Sequence, residues 1–346
     1  MRIVFVTQQV DPGHPALAAT VPKIKALAER VDELVVLADR TLPGVLPANC
    51  RSRSFAARTR VGRGLRFERA LAAELARRPK PAAVVAHMCP IYAVLAAPLA
   101  RPLGVRVLLW YTHWRASRLL HAAERVSSAV LTVDQRTFPL FSRKVRPIGH
   151  GIDLDEFPCA DRDRASDLRA LALGRYSEPK GLETVIRAVR LALDDGLDLR
   201  LVVHGPALTP EERAHRGTLE RLVAELDLEK RVRLGHAVLR SEVPELLARA
   251  DVLVNNMRAG ATDKVVYEAC ASCAAAIASN PAFDTLLDPE LRFDRDDPRG
   301  LADRLAWLSR LSTDERRELG RTLRERVAAG HSVGSWADAV VKAASR

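Results

Sequence analysis

Short apolar segments alternate with longer amphipathic segments along most of this chain, and no other feature constrains its fold as strongly. In the first half, five segments rich in valine, isoleucine or leucine lie at 3–6, 34–37, 83–86, 105–109 and 130–133. Amphipathic segments such as 17–30 and 65–78 separate them. Near-continuous apolar strands between helices are typical of a parallel sheet covered on both faces. The first half therefore predicts a doubly wound α/β domain.

The same alternation restarts after a polar stretch at 150–167 that contains Gly, Pro and several acidic residues. Further apolar segments follow at 170–173, 200–203, 232–234, 252–254 and 274–278. The polar stretch is typical of an interdomain linker, and a chain of 346 residues is long enough for two domains. We predict two doubly wound domains, 1–155 and 156–331. Because ligands bind beyond the carboxyl ends of the strands in such sheets, the cleft between the domains is the expected site.

Positive charge is concentrated in one segment of the chain. Basic residues outnumber acidic ones 54 to 43, for a net charge of +11, and the segment 51–80 holds ten basic and two acidic residues. Four of its arginines precede or enter an amphipathic segment: Arg58, Arg60, Arg63 and Arg66. The predicted buried side of that segment consists of Leu65, Leu71, Ala72 and Leu75. This surface suits phosphate, nucleic acid or an anionic membrane, or is a solvated face. Without a recognised nucleic-acid module, nucleic acid is the least favoured partner.

The cysteine pattern and the start of the chain bear on the cellular compartment. The five cysteines are scattered and do not suit the disulfide framework of a small secreted domain, so free thiols are expected. No uncharged apolar run of about 18 residues occurs, and the first apolar stretch is short for a signal peptide. We expect a cytosolic protein.

A loop that suits a diphosphate follows the first apolar segment of the second series. It begins at Gly174, carries Arg175 and Lys180, and precedes a helix-like segment. Two cations beside a helix N-terminus can bind a diphosphate, although an ordinary surface turn is the alternative. The dinucleotide-binding motif GxGxxG does not follow the first predicted strand, and the P-loop motif GxxxxGK[ST] does not occur in the sequence.

A second segment, after the apolar run 252–254, carries a carboxylate on a predicted helix. Thr262 or Asp263 is placed to cap this helix, which bears Lys264 and Glu268 four residues apart on one face. A carboxylate one turn into the helix can accept both hydroxyls of a ribose. The alternative is an ordinary ion pair between positions i and i+4, which contributes a few tenths of a kcal/mol.

Taken in order, these segments resemble the retaining GT-B glycosyltransferases of family 4. In the second half, GRYSEPKG, LRLVVHGP, RVRLGHAV and YEACAS resemble the family's consecutive donor-site segments. In the first half, WYTHW resembles the family's strand ending in His, and PIGHGIDLDEF resembles its hinge. The resemblance implies two Rossmann-like domains facing across a cleft. It also implies that a terminal helix, 332–346, packs back on the first domain, with Trp336 as its anchor.

The resemblance assigns roles to residues of this chain. In the second domain, Arg175 and Lys180 would hold the diphosphate and Glu268 the ribose. The wider donor-nucleotide site would comprise Gly13, Gly174, Gly205, His236, Ala237, Val238, Thr262, Asp263 and Lys264. In the first domain, His113 would lie near the transferred sugar, and His14 and His87 are candidates for the acceptor side; a histidine at the edge of a core is the alternative for His113.

Two positions depart from the family's pattern. The family has a glutamate eight residues before the one matched by Glu268, and here that position is Gly260, with Asp263 the nearest acid. Because that glutamate usually contacts the donor sugar, its absence bears on sugar preference and on activity. Cys270 and Cys273 form a CxxC without a second pair or nearby histidines, so we expect packing residues rather than a metal site.

These observations favour a glycosyltransferase that transfers a sugar with retention from a nucleotide-diphosphate sugar, with UDP or GDP the favoured nucleotides. The acceptor hydroxyl would belong to a glycan, a lipid-linked sugar or a small metabolite, and no metal or other cofactor is expected. A lipid acceptor would suit peripheral contact with the inner face of an anionic membrane. The alternatives are a nucleotide-sugar-binding GT-B protein with lost or altered activity and a GT-B epimerase.

Overall fold

The computed structural model describes residues 1–14, 17–160, 167–260 and 262–345. The chain divides into two compact units. The first unit consists of Met1–Asp153 together with Gly330–Arg346, and the second of Leu154–Ala329. Residues 161–166, which belong to the predicted linker and to the second predicted domain, lie outside the described residues.

The first unit is built on a parallel sheet, which has seven strands within the described residues. Its strands are β1 (Arg2–Val10), β2 (Glu33–Thr41), β3 (Cys50–Ser54), β4 (Ala83–His87), β5 (Arg106–Trp110), β6 (Ala129–Thr132) and β7 (Val145–Pro147), in the order β3-β2-β1-β4-β5-β6-β7. The helices up to β6 are α1 (Thr20–Ala28), α2 (Arg60–Ala76), α3 (Pro90–Ala100) and α4 (Arg118–Val126). The five predicted strands are present. The two edge strands β3 and β7 were not predicted, because one is polar and the other has three residues.

The second unit is built on a five-stranded parallel sheet within the described residues. Its strands are β8 (Leu168–Leu173), β9 (Leu199–His204), β10 (Val232–Leu234), β11 (Val252–Asn255) and β12 (Ala275–Ala278), in the order β10-β9-β8-β11-β12. The helices that follow β8 are α5 (Leu182–Asp194), α6 (Pro210–Glu225), α7 (Val243–Arg249), α8 (Lys264–Ala271), α9 (Pro298–Arg310) and α10 (Thr313–His331). Strand order reverses between β8 and β11, and such a switch point opens a crevice for ligands.

The last helix, α11 (Val333–Ser345), packs within the first unit. Trp336 is fully buried, with its ring 5.8 Å from Trp110 and 6.4 Å from Phe5, both in edge-to-face geometry. Aromatic contacts of this kind contribute beyond the area that they bury. Trp336 therefore ties α11 to the carboxyl end of β5 and to β1.

The prediction for the buried side of α2 was partly wrong. Leu71 and Leu75 are buried as expected, together with Phe67, but Leu65 and Ala72 are exposed. A helix turns once every 3.6 residues. Positions 67, 71 and 75 therefore share one stripe, and Leu65 and Ala72 lie outside it.

Part of the basic segment 51–80 is neutralised within the first unit. The carboxylate of Glu74 is fully buried, and Arg53 Nε lies 2.8 Å from its Oε1. Its Oε2 lies 3.2 Å from Arg77 Nη1, 3.3 Å from Arg51 Nη2 and 3.6 Å from Arg2 Nη1. A buried carboxylate is tolerated when cations compensate its lost hydration. Three of the ten basic residues of the segment thus serve an internal network.

The prediction of free thiols was wrong for two of the five cysteines. Cys159 and Cys273 form a disulfide across 114 residues of sequence, with their Cα atoms 5.0 Å apart. Cys50, Cys89 and Cys270 are free. Cys270 is a buried packing residue, as expected, whereas Cys273 is a crosslink. The spacing of Cys270 and Cys273 could not reveal the disulfide, because Cys159, the partner of Cys273, precedes the first strand of the second unit.

The stability of the first unit is expected to fall as the pH is lowered from 7 to 5. Burial lowers the pKa of His331 to about 4, against a weaker opposing effect of Asp134. Since the unfolded chain protonates this residue near pH 6.5, the unfolded state binds more protons below that pH and gains stability relative to the folded state. The loss attributable to His331 is about 2 kcal/mol at pH 5. Burial and Lys23 lower the pKa of His87, which adds a loss of the same sign.

Thermal unfolding at pH 7 and pH 5 measures this effect. His331→Gln should show a smaller decrease in melting temperature between the two pH values than the unmodified protein. His121→Gln, at an exposed position on α4, is the control and should behave like the unmodified protein. An identical decrease in His331→Gln and in the unmodified protein would contradict the assignment.

Candidate functional site

Loops that leave neighbouring strands meet at the carboxyl edge of the second sheet. The loops after β8 and β9 are in backbone contact, since a Cβ added to Gly205 would lie 1.7 Å from the carbonyl oxygen of Gly174. The amide of Tyr176 also donates to the carbonyl of Pro206 at 3.1 Å. Only glycine at position 205 allows this approach. The predicted residues Gly174 and Gly205 are therefore brought together.

Lys180 and Asp263 form an ion pair at the switch point of the sheet. Lys180 follows β8, Asp263 follows β11, and Asn255, the last residue of β11, donates from Nδ2 to Asp263 Oδ2 at 2.8 Å. A Cβ on Gly174 would lie 2.6 Å from Lys180 Nζ, so glycine leaves room for the ammonium group. The side chain of Lys180 is 13% exposed. A partly buried cation thus lies where a doubly wound sheet binds anionic ligands.

Arg175 lies apart from this ion pair. Its side chain is 53% exposed, and its Nε lies 3.3 Å from Oε1 of the buried Glu212. Glu212 belongs to a capping box with Thr209 at the N-terminus of α6. The two predicted phosphate ligands, Arg175 and Lys180, therefore pair with different carboxylates in the structure.

The prediction that a side chain of Thr262 or Asp263 caps α8 was wrong. Asp263 occupies the N-cap position but makes no capping hydrogen bond, because its carboxylate binds Lys180 and Asn255. Within the described residues, the buried Oγ1 of Thr262 has no hydrogen-bond partner. The start of α8 consequently presents backbone amides without a side-chain cap, next to the cation of Lys180.

Glu268 is buried on α8, with 2% of its surface exposed. Its Oε1 lies 2.7 Å from Lys264 Nζ and 2.8 Å from Arg240 Nη1. Arg240 also binds Glu156 at 2.9 Å. The i,i+4 ion pair considered as an alternative is thus present, but it belongs to a larger buried network. Glu268 is therefore held in a fixed position between two cations.

A cavity of about 550 Å³ lies beside the loops after β9 and β10. Its lining includes three of the residues predicted for the nucleotide, Gly205, His236 and Ala237. Val238 does not line it. The other lining residues are Pro206, Ala207, Arg213, Arg216, Gly217 and Glu220. The cavity has glycine and backbone surfaces suited to a planar ring, with charged groups at its wall.

Arg216 lines this cavity and packs on the ring of Tyr176. The sequence analysis missed both residues. Arg216 Nε binds Glu220 at 3.0 Å, its Nη2 donates to the carbonyl of Leu234 at 3.1 Å, and its guanidinium lies 5.0 Å from the ring centre of Tyr176. The buried Tyr176 hydroxyl donates to the carbonyl of Gly235 at 2.7 Å. Burial raises the pKa of Tyr176 to about 12, so the hydroxyl keeps its proton at neutral pH.

Arg240 and Gly217 were also missed. The partners of Arg240 are remote in sequence, so no local signal identifies it. Gly217 could have been noticed from the sequence, because glycine inside a helix lowers its stability by about 1 kcal/mol relative to alanine. Its backbone needs no glycine, and a Cβ there would meet no atom within 4 Å. The space that this glycine leaves open belongs to the cavity.

The predicted residues of the first unit follow neighbouring strands of its sheet. Gly13 and His14 follow β1, His87 ends β4, and His113 follows β5. His113 is largely exposed and accepts a hydrogen bond from the amide of Arg115 at 3.1 Å. Partial burial of the ring and the charge of Arg115 lower its pKa. His87 is 5% exposed and packs against Phe5, and such burial does not favour contact with an acceptor.

Gly260 has a φ angle of +104°, a conformation that side chains rarely adopt. Glycine, which stands here in place of the family's glutamate, therefore fits the local backbone conformation. Among the described residues, acidic, histidine and cysteine side chains do not gather in threes suited to a metal ion.

Comparisons with known proteins show what this chain is similar to, and the family match lies within the second unit. Residues 162–326 match the family described as glycosyl transferases group 1. The chain is 30% identical over 188 residues to a putative colanic acid biosynthesis glycosyltransferase, WcaL, of Escherichia coli (strain K12). That match covers 51% of this chain and 45% of the relative, so the chain matches about half the length of that curated protein.

Solved structures support the fold. Sucrose-phosphate synthase from Thermosynechococcus elongatus has a TM-score of 0.73 at 18% identity, over 99% of this chain and 97% of the other. The Anabaena protein HepE, in complex with UDP, has a TM-score of 0.76 at 15% identity, over 99% of both chains. At these identities the comparison establishes the fold, which is the GT-B fold of two Rossmann-like domains.

Proposed function

We propose, from the match of residues 162–326 to the family described as glycosyl transferases group 1, that the chain transfers a sugar from a nucleotide-diphosphate sugar to an acceptor hydroxyl. We further propose that transfer retains the anomeric configuration and needs no metal. The acceptor is a glycan, a lipid-linked sugar or a small metabolite.

The observation that carries this proposal is the convergence of loops at the carboxyl edge of the second sheet. The cavity lined by Gly205 and His236 suits a nucleobase, and the cation of Lys180 at the switch point suits a diphosphate. The buried carboxylate of Glu268, held by Lys264 and Arg240, suits the ribose hydroxyls. These three environments belong to one unit, and their residues are those to which the family resemblance assigns the base, the diphosphate and the ribose.

The catalytic contribution proposed for this chain is electrostatic. Charge develops on the leaving diphosphate, and Lys180, Arg175 and the uncapped amides at the start of α8 are the groups that would stabilise it. Asp263 would release Lys180 when the donor binds. No protein nucleophile is proposed. His113, exposed in the first unit, is assigned to the transferred sugar.

UDP and GDP are the favoured nucleotides of the donor. The similar Anabaena protein has been solved with UDP and with UDP-glucose, which supports a uridine donor for this chain. The decisive experiment is a calorimetric titration with UDP, GDP, ADP and TDP, followed by a transfer assay with sugars of the nucleotide that binds. The anomeric configuration of the product, read by NMR, tests retention. Failure of all four nucleotides to bind would overturn the proposal.

Replacing Gly217 with tryptophan is expected to lower the affinity for nucleosides and nucleoside diphosphates at least tenfold. The indole would occupy the cavity that glycine leaves open. Gly217→Ala should instead raise the melting temperature, because alanine stabilises a helix interior by about 1 kcal/mol relative to glycine. Thr218→Trp adds the same side chain at the next, exposed position of α6 and is the control. Normal affinity in Gly217→Trp would exclude the cavity as the base site.

A second candidate function is nucleotide-sugar binding without transfer, and Gly260 is the observation that favours it. Because its φ angle is positive, the loop has no place for the family's glutamate without rearrangement. Slow hydrolysis of the bound donor in the absence of acceptor separates the candidates. A transferase should release sugar measurably, and a binding protein should not.

A further inference from the structure

The first turns of α2 present an exposed apolar pair surrounded by arginines. Val61 is 75% exposed and Leu65 62%, and at positions i and i+4 they share one face of the helix. Among the residues that the structure describes, the other large apolar side chains that are more than half exposed lie on separate segments: Phe141, Leu208 and Leu239. Single exposed apolar residues are ordinary, but two on one helical face form a patch.

The charge around this pair is strongly positive. Four exposed arginines flank it: Arg58, Arg60, Arg66 and Arg69. The first turn of α2 carries no acidic residue, and Thr59 caps it by accepting from the amide of Gly62 at 3.0 Å, so the positive end of the helix dipole lies at the same place. The first acidic residue of α2 is Glu68, which is half-buried and follows Leu65 by three positions. The apolar pair therefore lies in the first two turns, which carry no acidic residue.

The arginines of this patch are separate from those that neutralise Glu74. Arg51, Arg53 and Arg77 bind that buried carboxylate, and Arg63 lies 3.5 Å from Asp39. Within the described residues, no ion pair is found for the four arginines that flank Val61 and Leu65. Their positive charge therefore remains available to an external partner.

We propose that the first two turns of α2 dock on an anionic lipid bilayer, with Val61 and Leu65 inserted among the lipids and the arginines on the headgroups. An interfacial helix binds through buried apolar area together with attraction to anionic lipids. A nucleic acid would use the arginines but leave Val61 and Leu65 in water. Every helix among the described residues is too short or too polar to cross a membrane, so this contact would be peripheral. The inference does not rest on the proposed transfer activity.

Vesicle co-sedimentation of the full chain tests the proposal. The unmodified protein should bind vesicles of equimolar phosphatidylglycerol and phosphatidylcholine at low salt, and pure phosphatidylcholine at least tenfold more weakly. The combined change Val61→Ser and Leu65→Ser should lower binding to the anionic vesicles about tenfold. Its matched control, Leu208→Ser with Leu239→Ser, removes two exposed leucines from the second unit and should bind like the unmodified protein.

The charge is tested by a matched pair of variants. Replacing Arg58, Arg60, Arg66 and Arg69 together with glutamine should abolish binding to anionic vesicles. The control replaces four exposed arginines of the second unit with glutamine, with the same change in net charge: Arg187, Arg221, Arg233 and Arg249. It should retain most of the binding. Equal losses in the two variants would mean that net charge, and not this patch, attracts the bilayer.

Insertion has its own readout. Leu65→Trp should show a blue shift in the added tryptophan emission with anionic vesicles, and Leu239→Trp should show none. Absence of that shift, absence of vesicle binding at low salt, or full binding in the Val61→Ser and Leu65→Ser variant would each overturn the proposal. Tight binding to duplex DNA together with failure to bind vesicles would assign the arginines to nucleic acid instead.

Discussion

Lys180→Ala is expected to lower the affinity for a nucleoside diphosphate by roughly ten- to a hundredfold and to leave the affinity for the nucleoside nearly unchanged. The substitution removes a charge-assisted hydrogen bond to phosphate. It also leaves the carboxylate of Asp263, which now pairs with Lys180, uncompensated at the place where the diphosphate would bind. Both effects act only on a ligand that carries phosphate. Calorimetric titration with the diphosphate and with the nucleoside measures the two affinities.

Two further variants separate phosphate binding from a structural role. Lys180→Ala combined with Asp263→Asn removes the repulsion, so it should recover part of the lost diphosphate affinity without restoring all of it. Lys230→Ala, at an exposed position of the same unit, is the matched control and should bind normally. Equal losses for nucleoside and diphosphate in Lys180→Ala would show that the lysine supports the loop. Arg175→Ala should have a smaller effect, because Arg175 is more exposed.

Glu268→Gln is expected to reduce the affinity for nucleoside and nucleoside diphosphate alike, by at least tenfold, because the ribose is common to both. It should also lower the free energy of unfolding by about 3 kcal/mol. The substitution keeps the shape of the side chain but removes the charge that compensates Arg240 and Lys264. Titration with both ligands and denaturant unfolding measure the two effects. Glu268 is nearly completely buried, so solvent screens this charge little.

Lys264→Ala distinguishes the ribose role of Glu268 from the ion-pair role. It removes the i,i+4 partner but leaves the carboxylate paired with Arg240. If Glu268 binds ribose, Lys264→Ala should retain most of the nucleoside affinity while losing some stability. A folded Glu268→Gln protein with unchanged affinity for both ligands would return Glu268 to a purely structural role.

Ten strands of the two sheets were predictable because each contains a short run of mostly apolar residues. The ten predicted strands are all present, and the resemblance to GT-B glycosyltransferases is supported by the family match and by the structural comparisons. The edge strand β3 escaped prediction because its sequence, CRSRS, is polar and gains stability from pairing with β2. The exposure of Leu65 was not predicted, because the elements that pack against a helix determine which of its faces is buried.

Within the candidate site, the sequence was sufficient to place Gly174, Lys180, Gly205 and Glu268 near strand ends or on a helix. Glycine and charged residues at strand ends are local signals, and the carboxyl ends of parallel strands meet at one edge. The pairing of charges was not predictable in the same way. Lys180 and Asp263 are 83 residues apart and meet because β8 and β11 are neighbours in the sheet.

Sequence patterning thus accounts for the elements and for the residue types at their ends, since both depend on interactions between residues a few positions apart. The partner of each buried charge and of each cysteine depends on strand order and helix packing. Arg240 reaches Glu268 from another helix–loop segment, and Cys159 reaches Cys273 across 114 residues. Burial in a low-dielectric interior makes such pairs necessary, but which residues meet is decided by the folded arrangement of the second unit.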